Sequence, residues 1–325
     1  MSLYEFTAHF GGLPVADLQH RDSTATSTTP DHAPDAVAWR IRVDPWEHEE
    51  AEFEKLFRYF LDTVDTARVT ALLCGCWSDD LSAESPALAL LVEHADRFPN
   101  LRHLFLGDVV QEESEISWMG IGTLTPVLRA YPRLEELVVR GSAFDGNPDT
   151  APALEPLRHD ALRTLRFESG GLSARLVGAI GLCDLPALED LEIWLGVSHY
   201  DGTATVDDLA ELMSGVRVPA LRRLGLMNSE IQDAVAAAVA AAPLTARLES
   251  LDLSMGTLGD EGVEALLAGQ PLTHLKTLRV NHHFVSDTMA ERLRETLRPH
   301  GVTVDISRPE ELRDWGSGRY VEVAE

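Results

Sequence analysis

The sequence predicts an α/β solenoid, with a curved parallel β-sheet on the inside and helices on the convex side. Three observations carry that expectation. An apolar triplet, L-x-x-L-x-L, recurs at Leu101-Leu104-Leu106, Leu134-Leu137-Val139, Leu162-Leu165-Phe167, Leu188-Leu191-Ile193, Leu221-Leu224-Leu226, Leu248-Leu251-Leu253 and Leu275-Leu278-Val280, after a weaker copy at Val69-Leu72-Cys74. Successive first positions are 32, 33, 28, 26, 33, 27 and 27 residues apart, a period that marks stacked supersecondary units. Proline stands two residues ahead of a triplet at Pro99, Pro132, Pro186 and Pro219. There it ends a returning helix by removing a donor and disfavouring helix at the preceding residue. One unit cannot bury its own leucines, so neighbouring units must cover each other.

At these positions the chain resembles leucine-rich-repeat proteins, and most of all those with ribonuclease-inhibitor-like repeats. The fullest unit is LESLDLSMGTLGDEGVEALL, Leu248 to Leu267, where Leu258, Gly262, Val263, Leu266 and Leu267 continue the pattern into a helix. The asparagine or cysteine usual after the last strand leucine is replaced by Val109, Ser142, Gly170, Gly196, Ser229, Gly256 and His283. The turns must therefore satisfy their backbone groups in another way. The segments GDVVQEESEISW and EIWLGVSHYDG and the ending RYVEVAE are also similar to a bacterial family of cytoplasmic leucine-rich-repeat proteins with no assigned activity. That resemblance implies a fold and no particular chemistry.

In chain order, residues 1–65 read as an N-terminal cap with a first strand and helix, residues 66–307 as the solenoid with a terminal capping strand, and residues 308–325 as a polar C-terminal tail. Leu13 and Val15 mark a short strand after Gly11-Gly12, and His20 to Pro34 is a Ser/Thr/Asp/Pro-rich loop. Alternation in VAWRIRV, Val37 to Val43, predicts a strand. Asp44, Pro45 and Glu47 have the spacing of a helix start. Phe53, Leu56, Phe57, Phe60, Leu61 and Val64 form one apolar helical face. Later helices are expected over Ser85–Arg97, Thr123–Ala130, Ala174–Leu182, Val206–Met213, Ile231–Ala241, Asp260–Leu267 and Asp287–Arg298. The two prolines of Asp149 to His159, Pro152 and Pro156, argue against a regular helix there. Val302 to Ile306 is a last strand, and the tail beyond Arg308 is expected to be loosely attached.

The charge balance is 27 basic against 53 acidic residues, net −26. Such a surface repels nucleic acid and anionic membrane, because neutralising phosphates requires Lys and Arg. It favours a basic protein or peptide partner. No apolar run approaches the ~18 residues of a membrane-spanning helix. The start MSLYEFTAHFGGLPV lacks the order of a secretory signal, and three cysteines make no disulfide framework. A cytoplasmic location is expected, with Cys74, Cys76 and Cys183 as small buried hydrophobes.

Two features invite a site. The column after each first leucine reads Arg102, Glu135, Arg163, Glu189, Arg222, Glu249, Lys276, alternating in sign. Strands ~4.8 Å apart would put opposite charges on both sides of each member of this concave column, which suits register more than ligand binding. The loops after Leu106 and Ile193 are longer than a repeat needs and emerge on one edge of the solenoid. They carry Glu112, Glu113, Glu115, Trp118, Trp194, Tyr200 and Asp201, acids beside aromatics suited to charge and cation–π contacts. Asn281-His282-His283, with His274 nearby, lacks an identifiable third ligand and reads as exposed loop. No P-loop, G-x-G-x-x-G, H-E-x-x-H or nucleophile elbow is present. No catalytic residue, metal site or cofactor is therefore expected. The leading expectation is a non-catalytic module that binds a protein or peptide through the loop edge and concave face. The alternatives are a metal-dependent hydrolytic or enzyme-accessory protein using acidic loop residues, and a structural homo-oligomer.

Overall fold

The leucines of successive repeats stack in one register. Leu72, Leu104, Leu137, Leu165, Leu191, Leu224, Leu251, Leu278 and Val304 pair in sequence across neighbouring strands, and all are buried. A computed structural model describes residues 3–18, 32–46, 52–82, 85–142, 153–313 and 318–324. Its strands are β1 His9–Phe10, β2 Leu13–Asp17, β3 Ala38–Ile41, β4 Ala71–Cys74, β5 His103–Leu106, β6 Glu136–Arg140, β7 Thr164–Glu168, β8 Asp190–Gly196, β9 Arg223–Ser229, β10 Ser250–Asp252, β11 Thr277–Arg279 and β12 Thr303–Asp305. They form one sheet in chain order. The β1–β2 hairpin is antiparallel, and every later pair is parallel. This is the leucine-rich-repeat solenoid that the triplets predict.

The helices are α1 Glu52–Thr63, α2 Pro86–Glu93, α3 Thr125–Ala130, α4 Ala174–Leu182, α5 Ala210–Ser214, α6 Gln232–Ala241, α7 Asp260–Ala268 and α8 Asp287–Leu297. Ser85, Ser173 and Ser286 cap α2, α4 and α8, accepting from the N–H of Ala87, Leu176 and Met289. Each cap satisfies one of the orphan donors of a helix start. The Asp44 carboxylate accepts from Trp46 N–H, while the capping role expected of Glu47 lies outside the described residues, as does most of the His20 to Pro34 loop. Residues 153–159 contain no helix, as the prolines imply, and the rest of that stretch back to Asp149 is not described. Apolar helix faces and strand leucines merge into one continuous core. The three cysteines are buried and reduced, and burial pushes the Cys74 and Cys76 thiols up to about 12.

The strands start two residues after the first leucine of each triplet. The residue between, from Arg102 to Lys276, therefore stands at the leading edge of the sheet and not on its concave face. Its backbone continues the ladder: Glu135 donates to Arg102, Arg163 to Glu135, and Glu189 to Arg163, each through N–H to carbonyl oxygen. Ion pairs form between Arg102 and Glu135 at 3.5 Å, Arg163 and Glu189 at 2.5 Å, and Lys276 and Glu249 at 2.6 Å. Arg222 departs from the expected alternation, turning its guanidinium to the carbonyls of Leu221 and Pro219. A second row, one residue inward, adds His103–Glu136 and Arg223–Asp190, both at 2.8 Å.

Backbone and side chains together satisfy the turns that lack the asparagines; Gln232, for one, accepts from Ser229 N–H and donates to the Leu226 carbonyl at 2.8 Å. Asn228, Met255 and His282 adopt left-handed φ values of 54°, 70° and 55° at equivalent places in successive repeats. Their turns pass N–H to carbonyl bonds along the stack, Asn228 to Ser254 at 2.9 Å and Met255 to Asn281 at 2.8 Å. Left-handed φ is uncommon away from glycine, so this recurrence is a feature of the repeat.

Candidate interaction surface

The concave face divides into two halves because the N-terminal segment lies across one of them. Phe10 packs with Ala38, Ala71, Leu73, Phe105 and Val138 in a second apolar cluster. Phe6 sits over the guanidinium groups of both Arg40 and Arg42, at 4.5 and 4.6 Å. Toward the other end the same strand column turns polar, reading Arg166, Glu192, Gly225, Asp252, Arg279 and Asp305 through the register. Arg166 lies 3.3 Å from Glu192, and Arg279 lies 3.8 Å from Asp252. Burial raises the pKa of Glu192 and Asp252, opposed at Glu192 by Arg166 and the Trp194 N–H.

Between the halves is a buried ion pair, Arg140–Glu168 at 2.8 Å, whose side chains are 2% and 0% exposed. Arg140 also donates to the Val109 carbonyl at 2.7 Å. Among the described residues, Glu168 Oε1 is buried without a hydrogen-bond partner, and the Arg166 guanidinium lies 3.7 Å from it.

The two long loops meet on the edge where the strands end. After β5, Gly107 turns at φ 87°, where an added Cβ would lie 2.4 Å from the Arg140 carbonyl oxygen. The chain then buries Val109 and Val110 and makes a short turn at Ile116–Trp118. After β8, Gly196 at φ 74° and Asp201 at φ 63° bracket the turn Ser198–Tyr200. The outcome is an edge-on pair, Trp118 against Tyr200 with ring centroids 6.4 Å apart. Trp118 is 56% exposed, and its indole N–H donates to Glu115 at 3.0 Å. His199 packs on the same tyrosine at 5.0 Å, while Glu112 and Asp201 are exposed.

Two of the residues expected on this edge face inward. Trp194 is 2% exposed, packed with Leu3, Ile116 and Met227, and donates its N–H to Glu192 at 2.9 Å. Strand β8 continues through Gly196, so Trp194 belongs to the sheet and not the loop, and Leu3 covers it. Glu113 is also withdrawn, because Arg42 pairs with its carboxylate, which is 6% exposed. The histidines of Asn281-His282-His283 are buried and not exposed. His282 bonds the Tyr320 carbonyl at 2.9 Å, and His283 accepts from Val285 N–H at 3.1 Å. Among the described residues, no group of three or more His, Cys, Asp or Glu side chains is placed to hold a metal ion, and no helix is long and apolar enough to cross a membrane.

Sequence reasoning also misread the tail. Residues 319–324 are not loosely attached; they run back along the turn column from His282 to Ser117. Glu322 N–H donates to the Met255 carbonyl at 2.8 Å, and Val323 is held by the Asn228 side chain. Ser117 hydroxyl donates to the Ala324 carbonyl. A groove of about 2050 Å³ follows this segment, from Trp194 and Tyr200 at one end to Asp305 and Arg308 at the other. The only sequence hint was compositional: Tyr320, Val321 and Val323 are apolar positions in an otherwise polar stretch.

These features define a leucine-rich-repeat solenoid with an aromatic loop edge. No family model matches the sequence, and no curated protein matches it. Among solved structures, a Bacteroides fragilis protein is similar, with TM-score 0.74 and 28% identity over 87% of this chain and 76% of that one. The leucine-rich-repeat domain of APL1 aligns over 87% of this chain and 77% of its own, but at 13% identity and TM-score 0.29, too low to indicate the same overall arrangement.

Proposed function

We propose that this chain is a non-catalytic module that binds a protein or peptide through its loop edge. In this reading it is a bacterial, cytoplasmic protein with ribonuclease-inhibitor-like repeats. One observation carries the proposal: two loops from strands three positions apart bring Trp118 and Tyr200 into contact while leaving the indole more than half exposed. Burying that tryptophan in a monomer would have been favourable, and interfaces concentrate their energy in such Trp and Tyr anchors. Glu112, Glu115 and Asp201 around the pair, with the net charge of −26, favour a basic partner and speed its encounter.

The test is affinity capture from the source organism's lysate with three baits: the unaltered chain, Trp118→Ala/Tyr200→Ala, and a convex-face control, Glu264→Lys on α7. A partner retained by the control and weakened by ~2 kcal/mol or more in the aromatic variant supports the edge. Retention by the aromatic variant with release by the control places the site on the helices.

A further inference from the structure

The seat of residues 319–324 is built like a peptide-recognition site. Its central element is Asn228, fully buried and held at φ 54°. Its Oδ1 accepts from Val323 N–H at 3.0 Å, and its Nδ2 donates to the Val323 carbonyl at 2.5 Å. Both backbone groups of one residue are thus read by one side chain, a contact indifferent to which residue is bound. The Met255 carbonyl takes the N–H of the preceding residue, Glu322, and His282 takes the Tyr320 carbonyl. Main-chain bonds with pockets for alternate side chains are how extended peptides are recognised at strand edges.

The side-chain contacts define what fits. Val321 is buried, and Val323 packs on the cluster of Leu3, Ile116, Trp194 and Met227. Tyr320 stands edge-on to both His282 and Phe284 at 5.3 Å. Arg319 donates to Asp233 at 2.7 Å. Glu322 pairs with Arg308 at 2.6 Å, so the pattern is basic, aromatic, aliphatic, acidic, aliphatic. The far end of the seat is shaped to match, since a Cβ on Gly170 would strike the Ala324 carbonyl oxygen.

From this arrangement we infer that the seat of residues 319–324 binds an extended peptide of that pattern from a partner protein, and that these residues occupy it as an exchangeable internal competitor. The inference rests on the interaction-module reading above and supplies its ligand class. A segment tethered in the same chain competes at an effective concentration of roughly mM, so partner affinity falls in inverse proportion to the fraction of time the seat stands empty.

The experiment titrates a fluorescein-labelled peptide, Gly-Arg-Tyr-Val-Glu-Val-Ala, against the full chain by fluorescence anisotropy. Three forms are compared: unaltered, Val321→Asp/Val323→Asp, and that variant with Asn228→Ala added. The Val321→Asp/Val323→Asp variant should bind at least 10-fold more tightly than the unaltered chain, Asn228→Ala should remove at least 10-fold of that, and a scrambled peptide should not bind. A folded Val321→Asp/Val323→Asp variant that binds no better than the unaltered chain overturns the proposal. If the variant fails to fold, hydrogen exchange on the unaltered chain decides. Amides of Glu322 and Val323 exchanging at least 100-fold faster than those of Leu191 and Leu224 support release of the segment. Exchange in step with the sheet overturns it. A negative result here leaves the aromatic edge standing, since that reading is tested by partner loss in Trp118→Ala/Tyr200→Ala.

Discussion

Replacing Arg140 with Leu should be among the most damaging single changes available to this solenoid. Arg140 and Glu168 face each other at 2.8 Å with side chains 2% and 0% exposed. Among the described residues Glu168 Oε1 already lacks a hydrogen bond, so the substitution leaves the buried carboxylate with the Arg166 guanidinium at 3.7 Å as its ion-pair partner there. The Val109 carbonyl loses its donor as well. Breaking a buried pair from one side costs ~3–5 kcal/mol, because the remaining charge is uncompensated. Removing both partners together, in Arg140→Leu/Glu168→Leu, should recover most of that loss, since apolar replacement of a buried pair is often neutral. Thermal and urea melts followed by circular dichroism give the four corners of a double-mutant cycle. The surface pair Lys276–Glu249, with side chains 73% and 45% exposed, serves as the reference and should cost under ~1 kcal/mol. The reasoning fails if Arg140→Leu costs no more than Lys276→Leu, or if the double variant is as unstable as the single.

Three further outcomes are expected. Arg163→Glu places three carboxylates in a row with Glu135 and Glu189, and should lower the melting temperature at low salt by an amount worth ~1 kcal/mol or more; an unchanged melt would show the leading-edge pairs are energetically idle. Glu192 and Asp252 carry raised pKa values from burial, so between the ordinary carboxylate range and those values the folded chain binds more protons than the unfolded one. Their contribution to stability is fully present below the ordinary range and is lost as pH rises through the raised values; carboxyl-carbon NMR midpoints at or below ordinary values would refute this. Cys74 and Cys76, with thiols pushed up to about 12, should resist a maleimide at pH 8 in the native chain and react promptly in urea, because only the thiolate is nucleophilic; fast native labelling would contradict their burial.

The sequence by itself determined the solenoid. Repeated leucines at fixed offsets have only one way to be buried together, so strand order, direction and register followed from a local pattern. Helix starts were legible for the same reason, since Ser173 and Ser286 need only their own neighbouring amides. The loop pair Trp118 and Tyr200 was half legible: spacing showed long loops on one edge, but not that the rings touch.

What tertiary structure alone decided are the contacts between parts remote in sequence that no period links. Leu3 covers Trp194, Arg42 takes Glu113, and Phe10 closes the N-terminal half of the concave face. Asn228 takes the backbone of Val323, turning a polar tail into one wall of the groove. A repeat constrains each unit through its neighbours, and so it predicts the stack well. The two ends of the chain lie outside that nearest-neighbour logic. Where they settle depends on which backbone groups and apolar edges the finished solenoid leaves uncovered, and those exist only once it has folded.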